Sequence, residues 1–232
     1  MLEFIDSMPI FRTLNQDFFK KWTPEMAYVL GFFTADGNML QHKNGGCYME
    51  FYSTDRVIIE YVKTVLKSHH KIALRDRSKL NSKWKKAYRL QVGSKVMFND
   101  LLNLGLVPNK SLVLQMPKVP KEFLRHFIRG YFDGDGCAHL GEHWAKDRNK
   151  KRWVFNIRFS SGSRDFLQGL WNALKSQNIK GGYLYDKNGR GYELVFSWKK
   201  GIALCKLMYD NASSDMYLNR KYEIYQKALE II

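Results

Sequence analysis

Val29-Leu30-Gly31-Phe32-Phe33-Thr34-Ala35-Asp36-Gly37 and Ile128-Arg129-Gly130-Tyr131-Phe132-Asp133-Gly134-Asp135-Gly136 match in register over nine positions, 99 residues apart. Self-similarity at that distance marks a duplicated unit. The segments downstream of the two copies correspond as well. After the first come Ser53-Thr54-Asp55, an apolar-periodic helix (Ile58, Tyr61, Val62, Val65, Leu66), and strand material over 72–79 and 87–93. After the second come Ser161-Gly162-Ser163-Arg164-Asp165, a helix carrying Phe166, Leu170, Trp171 and Leu174, and strands over 183–187 and 192–198. A helix closes each half: Val96 to Leu104, stopped by Gly105 as its C′ residue, and Ile202 to Tyr209. Each half then ends in a basic element, Asn109-Lys110-Ser111 or Asn219-Arg220-Lys221. The predicted fold is therefore α+β, two αββαββα repeats over 22–115 and 116–232. Residues 1–21 form an N-terminal extension whose Phe11, Leu14, Phe18 and Phe19, with Trp22 beyond it, suit an extra docked helix.

The duplicated segment reads as a helix end. Thr23 is a good N-cap, Pro24 fits the first helical position, and Glu25 adds negative charge to the first turn. Gly37 is expected as the C′ glycine. Pro120 begins the second copy in the same way, although Val119 is a poor cap. Small residues recur at helical spacing, Ala27, Gly31 and Ala35 in one copy and Gly130 and Gly134 in the other. Glycine inside a helix costs about 1 kcal/mol, so matched glycines point to a packing requirement. Two helices laid parallel on such stripes approach closely. Their C-termini then bring Asp36 and Asp135 together.

Thirty-eight Lys and Arg against 22 Asp and Glu leave a net charge of +16, which calls for a polyanionic partner. An aromatic content of 15% excludes a disordered chain, and no apolar run approaches membrane-spanning length. The start lacks the features of a secretion signal. Cys47, Cys137 and Cys205 are widely spaced and odd in number, consistent with a reducing, intracellular setting (cytoplasm, nucleoid or organelle) and with neither a disulfide framework nor zinc.

Two carboxylates at the negative ends of helix dipoles repel unless a cation lies between them. Oxygen ligands of this kind suit Mg²⁺, with Mn²⁺ or Ca²⁺ as substitutes. In a basic protein such an ion points to phosphodiester chemistry. A calcium loop would need Glu at its twelfth position, and counting from Asp133 that position is Trp144. Helices that merely end in turns are the plainer alternative, made less economical by the duplication.

The two nine-residue segments resemble the name motif of the LAGLIDADG homing endonucleases, and the repeat covers nearly the whole chain from about residue 22. Two copies in one chain are similar to the monomeric members of that family. The resemblance implies a saddle of antiparallel sheets with the motif helices at its centre, and metal bound by Asp36 and Asp135, with Ala35 and Gly134 beside them. It implies a metal-dependent, site-specific endonuclease acting on double-stranded DNA with a long pseudo-palindromic or asymmetric target. Short 3′ overhangs and intron homing belong to the same implication. Lys110 and Lys221 match the family's basic residues near the scissile phosphates, in a catalytic role. Asp133 matches a frequent additional acid, whereas Thr34 departs and is expected to hydrogen-bond back into its helix. Asp55 and Asp165 match places where the family often sets a polar residue that orders active-site water; helix capping, or charge in the first turn, is the plainer role, and capping is expected. No splice-junction nucleophile or terminal His-Asn is visible, so a free-standing or intron-encoded protein is expected rather than an intein. The alternative is a non-cleaving nucleic-acid-binding protein of the same fold, an intron maturase or a DNA-binding regulator.

Strand alternation selects the DNA face. It carries Tyr48, Glu50 and Tyr52; Arg75, Arg77 and Lys79; Arg89 and Gln91; Arg152, Asn156 and Arg158; and Tyr185, Lys187 and Glu193. Arg, Asn and Gln can pair bidentately with base edges in a major groove. Lys83, Lys85 and Arg148 lie in charged loops suited to phosphate contacts. His42, His139 and His143 are read as strand-face DNA contacts. A metal reading of His139 and His143 is set aside because Gly141 separates them and no HExxH pattern exists.

Overall fold

The computed structural model describes residues 13–76, 82 and 85–231. Helix α1 (Pro24–Asp36) leads into β1 (Gly37–Gln41) and β2 (Cys47–Ser53), then α2 (Arg56–Val65), β3 (Ile72–Arg75), β4 (Ala87–Gly93) and α3 (Lys95–Asn103). The second half repeats this order: α4 (Leu124–Asp135), β5 (Gly136–Ala145), β6 (Lys150–Ser161), α5 (Arg164–Ser176), β7 (Tyr183–Asp186), β8 (Tyr192–Ser197) and α6 (Lys199–Tyr209). Each half forms a four-stranded antiparallel sheet with the same order, β1-β2-β4-β3 and β5-β6-β8-β7. The expected α+β architecture is thus present. It differs from two equal repeats by one helix, α7 (Asn219–Ile231), which packs on β5 and α6.

Each sheet buries one face. Met39, Met49, Phe51, Leu90 and Val92 point into the first core, and Phe155, Ile157, Phe159, Leu194 and Phe196 into the second. The two cores meet across α1 and α4. Thr23 caps α1, its hydroxyl accepting from the Met26 N–H at 3.1 Å. At the other helix Pro120 opens a 3-10 turn (Lys121–Phe123) that runs into α4 without a side-chain cap. The small-residue stripes do what their spacing predicts. A methyl built on Gly31 would lie 2.0 Å from the Phe127 carbonyl oxygen, and one on Gly130 would lie 1.9 Å from that of Tyr28. These are backbone atoms, so only glycine permits the contact. Further along, Gly134 abuts Ala35, and contacts advance together along both helices, which makes them parallel.

Arg129 is buried in α4 and donates to the carbonyls of Met208 and Met216, tying α6 and the following turn to the central helix pair. In the described part of the N-terminal extension, residues 16–20 form turns rather than the expected helix. It docks all the same: Phe19 is buried, and the Asn15 N–H donates to the Leu66 carbonyl. Residues 1–12 lie outside the described residues. No helix among the described residues is long and apolar enough to cross a membrane.

Candidate active site

Parallel packing of α1 and α4 sets their last residues, Asp36 and Asp135, next to each other at the junction of the two sheets. Gly37 is not the left-handed C′ residue expected from sequence, and Gly136 matches it. Gly37 and Gly136 are extended, with φ −84° and −95°, because each helix passes directly into a strand. Glycine is needed there for space. A methyl on Gly37 would lie 2.3 Å from the Phe33 ring, and one on Gly136 2.1 Å from that of Phe132. Gly105 does adopt positive φ, +92°, after α3.

Neither Asp36 nor Asp135 makes a hydrogen bond or ion pair among the described residues. Burial at the crowded junction, then the charge of Asp135, pushes the Asp36 carboxyl up to about 7, while Lys221 and Lys110 pull it back. Asp135 keeps an outer face in solvent, yet protein packed around its inner side raises it too, against Lys110 and Lys221. Two carboxylates short of partners, each costly to ionise without a countercharge, are a donor set that fits a hard divalent cation. Among the described residues no cluster of three or more His, Cys, Asp or Glu side chains is placed to hold an ion. Further ligands to such an ion would therefore come from backbone carbonyls, solvent or substrate.

Lys110 and Lys221 are both buried and reach equivalent places, the carbonyls of Gly37 and Gly136. Their commitments differ. Among the described residues Lys110 makes this one hydrogen bond, whereas Lys221 also donates to Phe132 O at 2.5 Å and Asp133 O at 3.0 Å. An ammonium has three protons, so those of Lys221 are spent on the end of α4. The two lysines, matched by the resemblance to one role, are thus held differently: Lys110 retains free donors. Desolvation pulls Lys221 down to about 8 and also lowers Lys110.

Thr34 donates to the Leu30 carbonyl at 2.7 Å, as anticipated. Its counterpart Asp133 is buried and structural, accepting from Tyr28 Oη at 2.8 Å and the Leu218 N–H at 3.1 Å. Desolvation raises it to about 6. Asp55 does not cap α2 through its side chain; it pairs with Arg220 at 2.7 Å across the two halves, which holds its carboxyl below the usual range. Asp165 is not its equivalent. Ser163 caps α5, accepting from the Phe166 N–H, and Asp165 sits in the first turn.

Cross-strand register shows which candidates share a face. Tyr52 opposes Arg89, and Glu50 opposes both Gln91 and Asn38. Arg75 opposes Ala87, on the same face as Arg89. His42 packs against Tyr48 with ring centroids 5.2 Å apart. On the second sheet His139 opposes Asn156, His143 opposes Arg152, and Tyr185 opposes Glu193. All of these lie opposite the helix-covered face. Two acids on it are neutralised: Glu50 by Arg89 at 2.7 Å, Glu193 by Lys187 at 2.7 Å and the Tyr185 hydroxyl at 2.6 Å. Lys85 and Arg148 are exposed, while Arg77, Lys79 and Lys83 lie outside the described residues. Register adds Asn38, Cys137 and Tyr183 to this face, with Tyr183 stacked on Tyr185 at 5.9 Å. Their signal was pairing across strands, which single-strand alternation does not carry.

Paired acid-tipped helices between two sheets with like polar faces give the molecule a pseudo-twofold architecture. Residues 122–203 match the family model described as a LAGLIDADG-like domain. The fold is that of LAGLIDADG homing endonucleases. I-SmaMI bound to uncleaved DNA target with calcium ions superposes with a TM-score of 0.60 at 12% identity, over 91% of this chain and 92% of that one. I-LtrWI bound to target DNA gives 0.59 at 11% identity, over 94% and 91%. I-AabMI bound to uncleaved DNA gives 0.59 at 14%, over 90% of each chain. In sequence, 157 residues are 24% identical to DNA-directed RNA polymerase subunit Rpo1C of Methanocaldococcus jannaschii, covering 67% of this chain. The match spans only 16% of that relative's length.

Proposed function

We propose that this chain is a monomeric, site-specific endonuclease that cuts both strands of a long DNA target in a divalent-metal-dependent reaction, leaving short 3′ overhangs. The observation that carries the reading is the juxtaposition of Asp36 and Asp135 at the tips of two glycine-packed helices, between two sheet faces bearing Arg, Asn, Gln and Tyr. The fold's occurrence in proteins solved on DNA supports it.

Asp36 and Asp135 would hold the ion, Mg²⁺ or its substitutes. When bound, the ion polarises a phosphate oxygen and lowers the pKa of an attacking water. The chain's own part is positional. The α1–α4 contact holds the two acids level, so that each can serve one strand. Lys110, anchored through one proton to the Gly37 carbonyl, keeps donors for the leaving oxygen or the water. Lys221 fixes the end of α4 beneath Asp135 and adds positive charge without reaching outward. The sheet faces orient the duplex, Arg158, Asn156 and Gln91 toward base edges and the charged loops toward phosphates.

The test is to select bound duplexes from a random library and then incubate the selected DNA with Mg²⁺. Wild type should cut it at one position on both strands. Asp36→Asn and Asp135→Asn should bind it yet lose roughly a hundredfold or more in rate, the loss expected when a metal ligand worth several kcal/mol is removed. Selective binding with no cleavage by wild type would replace this reading with the non-cleaving one.

A further inference from the structure

His139, Gly141 and His143 alternate along β5 and so project from the same polar face. The two imidazoles do not splay apart. They fold toward each other along the strand, with Nε2 atoms 3.0 Å apart and ring centroids at 5.3 Å. Gly141 provides the room. A methyl there would lie 3.4 Å from the His139 Nε2 and 3.8 Å from that of His143, in van der Waals contact with both rings. Glycine inside a strand weakens it and marks close approach by another group. Here that group is a pair of rings.

We infer that His139 and His143 form a second metal site, a two-imidazole clip over Gly141 for a borderline transition cation such as Zn²⁺, Ni²⁺ or Cu²⁺. Such ions favour imidazole, whereas Mg²⁺ and Ca²⁺ favour carboxylate oxygen, so the clip and the aspartate pair divide the ions by class. Two nitrogens bonded tetrahedrally to zinc at about 2.0–2.1 Å stand about 3.3 Å apart. The two exposed nitrogens, 3.0 Å apart, are within a few tenths of an ångström of that spacing. Arg152, opposite His143, and Arg158, near His139, are the cations the ion must tolerate. The remaining coordination positions open to solvent over the strand face. The clip does not depend on the nuclease reading, because it is defined without DNA.

Calorimetric titration with Zn²⁺ alone tests it, in a Cys137→Ser background because that free thiol shares the face. One saturable site is expected. His139→Gln and His143→Gln should each weaken it by about tenfold or more, and the double variant little further, as for a chelate that needs both rings. The other four histidines remain in every variant as an internal background. Copper(II) spin resonance provides a second readout: coupling to two imidazole nitrogens in the parent and one in each single variant. Equal zinc affinity in parent and variants, or dependence on one histidine only, would overturn the site and leave a shared proton as the reason the rings meet.

Discussion

Asp36 is an acid held against its own ionisation. A carboxyl whose pKa is higher folded than unfolded binds its proton more tightly in the native state, so stability falls as pH rises from about 4 toward 7. Asp36, pushed up to about 7 by burial and by Asp135, imposes that loss on the metal-free protein, in full above its folded pKa. A divalent cation on the pair offsets it. The rise in Tm on adding Ca²⁺ should therefore be small at about pH 5.5 and larger at about pH 8. Asp36→Asn should flatten the difference, and a pH-independent rise in wild type would exclude an ion on these carboxylates. The two lysines separate support from chemistry. Lys221→Met removes three hydrogen bonds at the end of α4, a cost of roughly 3 kcal/mol in urea denaturation. Lys110→Met removes one such bond, about 1 kcal/mol, and should act mainly on cleavage rate. Equal destabilisation by both would contradict the asymmetry.

The helix pair is the element on which the rest depends, and its tolerance is narrow. Gly31→Ala sets a methyl 2.0 Å from the Phe127 carbonyl, where no side-chain rotation relieves it, so α1 and α4 must part. A cost of about 3 kcal/mol or more is expected from such overpacking. Gly105→Ala offers the contrast. Its surroundings are empty, and only its positive φ of +92° resists, for about 1 kcal/mol. Denaturation midpoints of the two variants should differ accordingly; similar midpoints would mean the glycine stripe is not the seam. The seam was legible in sequence because spacing, capping at Thr23-Pro24 and duplication all agreed. The helix-to-strand junctions at its end were not. Gly37 and Gly136 look like helix stops, but a strand that starts at once makes them spacers against Phe33 and Phe132. The α7 helix was hidden because the first half has no counterpart, and Asp133 owes one of its two buried bonds to the segment that leads into it, through the Leu218 N–H. Thr34, with no such helix to hold, bonds to its own.

Across the molecule, a +16 chain gathers charge on exposed loops and alternates it along two sheets with identical strand order. The acids and the strand faces were readable because charge, period and repeat are properties of one strand or helix at a time. The lysine partners, the Asp55–Arg220 bridge between halves and the folding of His139 onto His143 were not, since each depends on how separate segments or side chains meet. The same division of labour predicts how DNA binding responds to salt and to substitution. Loop cations neutralise phosphates and release counterions, so affinity should fall on the order of a thousandfold between about 50 and 200 mM salt if about six phosphates are engaged. Removing Lys85 or Arg148, both exposed, should lower the log–log slope by about one each while leaving the preferred sequence unchanged. Replacing Arg158 or Gln91 should do the reverse, relaxing base preference at one position for about 1–3 kcal/mol with a smaller change of slope. The two classes are separable because Lys85 and Arg148 stand in loops off the strands, whereas Gln91 and Arg158 are held in register opposite Glu50 and Val195. A flat salt response, or slope and preference changing together in every variant, would mean that the polar sheet faces are not where the duplex lies.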